Sequence, residues 1–187
     1  MLKFCKNLSL INMKLNLAKE SIRSVFDFPK EGIHFRDITT LLKDPKHIAT
    51  VVDHLYEFYK DKGITKIVCL ESRGFILGGA LAYKLNAGFV PVRKPGKLPA
   101  EKYTQKYTLE YGTDEIQIHK DALNEQDVVL VHDDLLATGG TAAATMSLLE
   151  KFNLKNIYLN FLIELEGLNG IEKFENKDKI YSVFKYD

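Results

Sequence analysis

The stretch from Val128 to Thr141, VVLVHDDLLATGGT, constrains the fold more than any other part of the chain. Its first four residues are apolar, as in a strand buried on both faces of a parallel sheet. Asp133 and Asp134 follow where such a strand would emerge, and the glycines after them lead into an Ala-rich segment that favours a helix. The order of strand, acidic turn, glycine loop and helix predicts an α/β fold with a ligand loop at the end of a strand.

The glycine loop suits a phosphate, because residues without side chains let backbone N–H groups approach an anion at the start of a helix. Carboxylates directly before the loop would repel a plain phosphate, but they would accept hydrogen bonds from the vicinal hydroxyls of a sugar phosphate. No lysine follows the glycines and the pattern GxGxxG is absent, which excludes two common nucleotide loops. On the pattern alone, an ordinary turn with acids capping a helix stays open. The candidate sugar-phosphate site comprises Asp133, Asp134, Ala137, Thr138, Gly139, Gly140 and Thr141.

Composition limits the possible classes of function. The chain has 187 residues and a formal net charge of +1, which favours a substantial core and argues against an extended nucleic-acid-binding surface. Cys5 and Cys69 are the only cysteines, too few for a disulfide framework, and they fit a reducing, cytoplasmic setting. Apolar runs stay short of the roughly 18 residues that span a bilayer, so we expect a soluble protein without nucleic-acid or membrane partners.

The first dozen residues, MLKFCKNLSLIN, are expected to be a flexible N-terminal extension or a start-site artefact. They are basic and partly apolar, but they lack the uninterrupted apolar core and the cleavage site of a signal peptide. They also lack the Arg and Ser richness of an organellar transit peptide. Met13 is the expected start of a single domain over residues 13–187.

Two further loops place cations after predicted strands. Ile64 to Leu70 predicts a buried strand that is followed by Ser72 and Arg73; an arginine there can form a fork around a diphosphate, or it can pair with Glu71 at the surface. Phe89 to Val92 predicts a second strand, followed by the basic loop RKPGKLP. The sugar-phosphate motif later in the chain favours a diphosphate site. The cations of the basic loop are Arg93, Lys94 and Lys97.

A two-stranded flap is predicted over about residues 100–120, where Thr, Tyr, Leu and Ile alternate with polar residues around Gly112 and Thr113. Polar on both faces, this flap should bury little and should be mobile. It could close over substrates and exclude water. From spacing alone, Glu110 at its turn is equally well explained as a solvated carboxylate.

Strands near residues 64, 89, 128 and 156, separated by helices or the flap, predict a central, mostly parallel sheet flanked by helices. Ile180 to Phe184 predicts an additional edge strand. Apolar positions at helical spacing predict helices over Leu15 to Val25 and His47 to Lys60. Because ligand loops of open α/β sheets lie at the carboxyl ends of the strands, the three motifs should meet at one edge.

These motifs resemble those of the type I phosphoribosyltransferases, and in particular the members of that family that act on adenine. The resemblance covers nearly everything after Met13. It includes a segment of the form FPK-G-x-x-FRDI, the SRGF and GKLP loops, the LEYG flap and DDLLATGGT, in the order of the family. It implies the type I phosphoribosyltransferase fold, with a small N-terminal hood over about 26–42, a mobile flap, a cis bond between Glu71 and Ser72, and a homodimer.

The resemblance also implies a reaction, in which adenine and phosphoribosyl pyrophosphate (PRPP) give AMP and pyrophosphate, with Mg²⁺ held by PRPP rather than by protein ligands. It assigns roles residue by residue. Catalytic roles would fall to Glu110, Arg73 and Asp133; pyrophosphate binding to Ser72, Arg73, Arg93, Lys94 and Lys97; adenine binding to His34, Arg36 and Leu165; and a place in the flap to Tyr111. Glu110 would manage the proton at N7 of the purine.

Two other functions stay open. A regulatory protein of the same fold that senses PRPP would keep the DDLLATGGT loop, but it would be expected to carry a basic face or an added DNA-binding module. An enzyme for a 6-oxopurine would usually place a lysine against the oxo group, whereas the FRDI segment looks suited to a 6-amino edge.

Overall fold

The computed structural model describes residues 2–109 and 112–187. The chain forms two compact units, Met1–Phe58 and Tyr59–Asp187. In the described residues no helix combines the length and the apolar character needed to cross a membrane.

The first unit combines helices with a small hairpin. Its elements are α1 (Leu2–Glu20), β1 (Arg23–Phe26), β2 (His34–Asp37), α2 (Thr39–Leu42) and α3 (Pro45–Tyr59), whose last residue belongs to the second unit. Strands β1 and β2 pair antiparallel, from Arg23 opposite Asp37 to Phe26 opposite His34. In α3 the apolar residues Val51, Val52 and Leu55 are buried, as its helical spacing predicts.

Helix α1 differs from its expected bounds. It begins at Leu2 and ends at Glu20, and Val25 lies in β1 opposite Phe35. A β-branched valine fits an extended conformation, so the predicted helix over Leu15 to Val25 was wrong at its end. The extension over 1–12 and the single domain over 13–187 stay predictions.

The second unit is built on a parallel sheet of five strands in the order β4-β3-β7-β8-β9. This sheet confirms the predicted α/β class, and the last strand is a parallel edge strand. The elements are β3 (Lys66–Leu70), α4 (Gly74–Leu85), β4 (Gly88–Val92), β5 (Lys102–Leu109), β6 (Gly112–His119), β7 (Val128–Leu136), α5 (Gly140–Leu149), β8 (Asn156–Leu165) and β9 (Ile180–Tyr186), with short 3₁₀ turns at Glu150–Phe152, Glu166–Leu168, Gly170–Lys173 and Lys177–Lys179.

Strand β7 lies at the middle of this sheet, and its first half is deeply buried. Val129, Leu130 and Val131 are each 0% exposed, as expected for a strand covered on both faces. Helix α4 packs closely on β3 through Gly78, where a Cβ atom would lie 2.1 Å from the sulfur of the buried, free Cys69. The sequence therefore needs a residue without a side chain at Gly78.

The base of the flap is part of the core. Strands β5 and β6 pair antiparallel as predicted, but Ile116, Gln117 and Ile118 in β6 are buried. Gln117 also exchanges two backbone hydrogen bonds with Arg93, of 2.9 and 2.8 Å. The expectation that the flap is polar on both faces and buries little was wrong for this half of β6, because its isoleucines join the hydrophobic core below the sheet edge.

A buried histidine makes folding stability depend on pH. Nδ1 of His132 lies 2.8 Å from Oδ1 of Asn160, whose Nδ2 donates to the carbonyl oxygen of Tyr181. The Asn160 oxygen therefore accepts, which places the hydrogen of a neutral imidazole on Nδ1. Burial lowers the pKa of His132 from 6.5 to about 4, since the charged form would lose its hydration.

We expect the free energy of unfolding to fall as the pH decreases from about 6.5 to about 4, because the unfolded chain takes up the proton of His132 first. The contribution is about 3 kcal/mol and should level off below that window. Urea unfolding at several pH values checks this, with His132→Gln as the comparison. A variant with the same pH dependence as the wild type would contradict it.

Candidate active site

A cavity of about 380 Å³ lies in the second unit where the loops after β3, β4 and β7 meet. Its position at the carboxyl ends of parallel strands is the usual one for ligands of open α/β sheets. The lining residues are Leu70, Glu71, Ser72, Arg73, Val92, Lys94, Tyr107, Ile116, Asp133, Asp134, Leu135 and Thr141. The structure therefore brings together members of all three predicted motifs.

The two carboxylates of β7 form the acidic wall of this cavity. The Arg73 Nε atom lies 2.8 Å from Oδ2 of Asp134, which is 5% exposed. Asp133 Oδ1 accepts a hydrogen bond from the Asp134 backbone N–H at 2.9 Å. Burial raises the pKa of both carboxyl groups, the Asp134 charge raises that of Asp133 further, and Arg73 partly offsets the shift. Both carboxylates can accept hydrogen bonds from hydroxyl donors of a ligand.

The start of α4 lies directly against one of these carboxylates. The Glu71–Ser72 peptide bond is cis, which confirms the expectation for this loop. Gly74 is the first residue of α4, and a Cβ atom there would lie 2.9 Å from Oδ1 of Asp133. A glycine at this position is what allows the helix to begin directly beside the carboxylate.

The glycine loop forms a smaller cavity of about 90 Å³ next to the first, lined by residues that include Ala137, Thr138, Gly139, Gly140 and Thr141. Gly139 has φ +75°, and α5 begins at Gly140. Among the described residues no side chain caps the start of α5, so its first N–H groups are available to an anion. The loop has the geometry expected of a phosphate site.

Gly170 packs against the backbone of the glycine loop. A Cβ atom on Gly170 would lie 2.1 Å from the carbonyl oxygen of Ala137 and 2.9 Å from the backbone nitrogen of Gly139. The glycine loop can hold its shape only because Gly170 has no side chain.

A Gly170→Ala substitution should therefore displace the phosphate loop. We expect a cost of about 1–3 kcal/mol, shared between a lower melting temperature and a higher KM for the substrate whose phosphate this loop binds. Gly167→Ala is the matched control, since a Cβ atom there meets nothing within 4 Å. Thermal unfolding and initial rates compare the two variants; identical behaviour would show that the close approach of Gly170 does not matter.

The predicted cations of the basic loop have different surroundings. The Arg93 Nε atom lies 2.9 Å from Glu71 Oε2, which also accepts the Lys94 backbone N–H at 2.8 Å. The hydrogen bond from Arg93 lowers the pKa of the Glu71 carboxyl group below its ordinary value, and the hydrogen bond from the Lys94 backbone adds to this effect. Lys94 lines the cavity and its ammonium contacts the Asp114 carboxylate, whereas Arg93 and the exposed Lys97 do not line it.

Several predicted site residues lie elsewhere or are not described. His34 and Arg36 are in the first unit, where the His34 ring stacks on Phe26 at 4.2 Å and Arg36 Nη1 donates to Ser24 Oγ at 2.5 Å. Leu165 is the half-buried last residue of β8 and does not line the cavity. Glu110 and Tyr111 lie outside the described residues. The roles assigned to these positions stay predictions.

Four residues with structural roles in the site were not predicted from the sequence: Glu71 as an anchor of the basic loop, Tyr107, Asp114 and Gly170. Tyr107 and Asp114 are directly opposite each other in the flap. The register of a hairpin in which Leu109 pairs with Gly112 would have indicated that pair, since side chains opposite each other lie on the same face. No local pattern in the sequence indicates the approach of Gly170.

The comparisons with known proteins agree on one family. The phosphoribosyl transferase domain matches residues 37–187. An adenine phosphoribosyltransferase of Phocaeicola vulgatus is 60% identical over 162 residues, which cover 87% of this chain and 93% of that protein. One from Bacteroides fragilis is 58% identical over 171 residues, 91% of this chain and 96% of that protein.

Solved structures give the same result. The adenine phosphoribosyltransferase of Thermoanaerobacter pseudethanolicus superposes with a TM-score of 0.87 at 46% identity, over 92% of this chain and 99% of that one. The enzyme from Saccharomyces cerevisiae, in complex with an imino-altritol bisphosphate and adenine, gives 0.86 at 37% identity, over 92% and 99%.

Proposed function

Because this chain belongs to the adenine phosphoribosyltransferase family, we propose that the cavity at the ends of β3, β4 and β7 is where it makes AMP and pyrophosphate from adenine and PRPP. One observation carries the assignment of the site. The half-buried Asp133 and the buried Asp134 lie beside the uncapped glycine loop, and Arg73 and Lys94 line the same cavity as the two carboxylates. A ribose, a phosphate and a diphosphate each have suitable partners there.

PRPP would bind with its ribose hydroxyls donating to Asp133 and Asp134. The 5-phosphate would accept hydrogen bonds from backbone N–H groups of residues 137–141 and from the Thr141 hydroxyl. The two cavities share Asp133, Leu135 and Thr141 as lining residues, which supports one ribose carrying one phosphate as the ligand. This is why carboxylates can precede an anion loop without repelling the ligand.

The diphosphate would lie against Ser72, Arg73 and Lys94, with Arg93 and Lys97 adding positive charge nearby. Within residues 2–109 and 112–187 no group of three or more His, Cys, Asp and Glu side chains could hold a metal ion. Mg²⁺ would enter with PRPP, as the resemblance to the family implies. When bound, Mg²⁺ neutralises charge on the departing diphosphate.

The reaction breaks the bond between the anomeric carbon and a diphosphate oxygen, whose electron pair leaves with pyrophosphate. Adenine N9 forms the new bond, and one purine proton is released. Positive charge develops on the ribose during this exchange. The carboxylates of Asp133 and Asp134 would stabilise this charge, while Arg73 and Lys94 would stabilise the leaving group.

Glu110 would accept or hold the proton at N7, and His34, Arg36 and Leu165 would contact the base.

The decisive experiment incubates the protein with PRPP, Mg²⁺ and each of adenine, hypoxanthine, guanine and xanthine, and follows nucleotide formation. We expect AMP from adenine and little product from the 6-oxopurines. The family match favours this outcome over a PRPP-sensing regulator or an enzyme for a 6-oxopurine. An absence of AMP would refute the assignment.

We also propose a homodimer formed through the outer face of α4 and the edge strand β4. Tyr83 is 91% exposed, Ile76 50% and Phe89 40%, and the rings of Phe75 and Phe89 join α4 to β4 at 5.5 Å. Exposed apolar side chains gathered on one face mark an interface.

Light scattering should find a dimer that Tyr83→Glu converts to a monomer, while Leu168→Glu, at another exposed apolar residue, leaves the dimer intact. A Tyr83→Glu dimer would contradict this face.

The free, buried thiol of Cys69 fits a reducing compartment. It supports the cytoplasm as the location of the enzyme.

A further inference from the structure

A hydrogen-bonded group at the base of the flap connects two predicted parts of the PRPP site. The Lys94 ammonium contacts Oδ2 of Asp114. The same carboxylate oxygen accepts the Tyr107 hydroxyl at 3.1 Å, and the Tyr107 oxygen accepts the Thr141 hydroxyl at 3.2 Å. Lys94 follows β4 and Thr141 follows the glycine loop, so this group links the two loops through side chains of the flap.

The side chains that form this link lie in the part of the flap that packs against the core. Tyr107 and Asp114 are cross-strand neighbours in β5 and β6. Asp114 lies two residues before the buried Ile116, and Tyr107 packs against the same hydrophobic core. The Asp114 carboxylate is fixed further, because its Oδ1 accepts the Glu115 backbone N–H at 2.8 Å. The two side chains therefore lie on the part of the flap that is anchored in the core.

Lys94 is held at both ends. Its backbone N–H donates to Glu71 Oε2 at 2.8 Å, and its ammonium is held by Asp114. A free lysine side chain has about 2 kcal/mol of rotamer entropy to lose on binding an anion. A lysine that is already oriented loses less, so its contact with a substrate becomes more favourable.

The hydrogen-bonding capacity of the group leaves room for a substrate. An ammonium has three N–H donors; one is used on Asp114, and the Tyr107 oxygen lies 3.5 Å away as a weaker acceptor. At least one donor remains for a ligand in the cavity that Lys94 lines. The Tyr107 hydroxyl donates its single hydrogen to Asp114 and accepts from Thr141, which is consistent with its one O–H and two lone pairs.

We propose that Asp114 and Tyr107 are positioning residues for the transfer reaction, which orient the Lys94 ammonium toward the diphosphate of PRPP. The inference rests on the proposed role of Lys94 in diphosphate binding. Asp114 does not touch substrate; it acts through Lys94, and Tyr107 couples that orientation to the Thr141 end of the phosphate loop. The opposite arrangement, in which Asp114 competes with the diphosphate for Lys94, predicts tighter PRPP binding when the carboxylate is removed.

The test measures initial rates with PRPP varied at saturating adenine, and with adenine varied at saturating PRPP. Asp114→Asn should raise the KM for PRPP about tenfold, which corresponds to about 1.4 kcal/mol and to the loss of one charge-assisted hydrogen bond. The KM for adenine should stay within about twofold. Tyr107→Phe, which keeps the ring, should raise the KM for PRPP by a smaller factor. This variant provides the test if Asp114→Asn fails to fold.

A double-mutant cycle with Lys94→Met separates the possible outcomes. We expect Lys94→Met to raise the KM for PRPP and Asp114→Asn to add nothing in that background. If Lys94→Met leaves this KM unchanged, the proposed role of Lys94 fails; if Lys94→Met weakens PRPP but Asp114→Asn does not, only the positioning role fails. The positioning role is also overturned if Asp114→Asn lowers the KM for PRPP, or if it raises the KM for adenine as much as the KM for PRPP.

Glu101→Gln provides a matched control in the same flap. Glu101 pairs with Lys120 at 3.0 Å, but this pair is solvent-exposed, with the Glu101 side chain 84% exposed. Removal of its charge should leave both KM values within about twofold of the wild type, as expected for a surface ion pair. A shift as large as that of Asp114→Asn would show that any lost charge in the flap has this effect.

Discussion

An Asp134→Asn enzyme should lose about 30-fold to 5,000-fold in kcat/KM for PRPP. The Asp134 carboxylate is buried and holds Arg73 at 2.8 Å. The carboxylate accepts from Arg73, whose side chain is 40% exposed, and the proposed ribose hydroxyl would add a second charge-assisted hydrogen bond. Weakening the two together costs about 2–5 kcal/mol. An amide keeps the shape of the side chain, so the loss reports charge and hydrogen bonding rather than packing.

Asp127→Asn is the control for this prediction. Asp127 is also buried, at 7% exposure, but it precedes β7 at the opposite end of the strand, where it accepts the Thr65 hydroxyl at 2.7 Å. We expect Asp127→Asn to lower the melting temperature and to leave kcat/KM within about twofold. Steady-state rates with PRPP varied, together with thermal unfolding, compare the two. A loss below about threefold in Asp134→Asn would remove the ribose role from this residue.

A Glu110→Ala enzyme should lose about 10² to 10⁴ in turnover at saturating adenine and PRPP, the usual contribution of a positioned acid or base. The prediction depends on the resemblance of LEYG to the catalytic loop of the family. Glu110→Gln should be almost as slow, because the amide cannot exchange a proton with N7. Glu101→Ala, at the other end of the flap, should turn over at the wild-type rate. A Glu110→Ala rate within about threefold of the wild type would show that the purine proton is managed elsewhere.

The parts of the site that could be predicted are those encoded in a few adjacent residues. A buried strand, two acids and a glycine loop stand together in Val128 to Thr141, and the structure places them as strand, carboxylate pair and helix start. Ser72, Arg73 and Lys94 follow their strands in the same way. For these residues the topology of a parallel sheet is enough to bring local motifs to one edge.

The parts that could not be predicted depend on contacts between distant residues. Glu71 binds Arg93 across 22 positions of the chain, and Lys94 reaches Asp114 across 20. Gly170 approaches Ala137 through backbone atoms that leave no trace in composition. The buried half of β6 was missed for a related reason, because Ile116 and Ile118 alternate with polar residues as they would in a half-exposed strand.

The central place of β7 has a consequence for the dynamics of catalysis. Its amides pair with β3 on one side and β8 on the other, so hydrogen exchange there should require opening of most of the sheet, as for the most protected strands of other proteins. The carboxylates proposed to bind the ribose should thus lie on a slowly exchanging strand, and the amides of β4, at the edge, should exchange sooner. We therefore expect substrate to enter without local unfolding of β7.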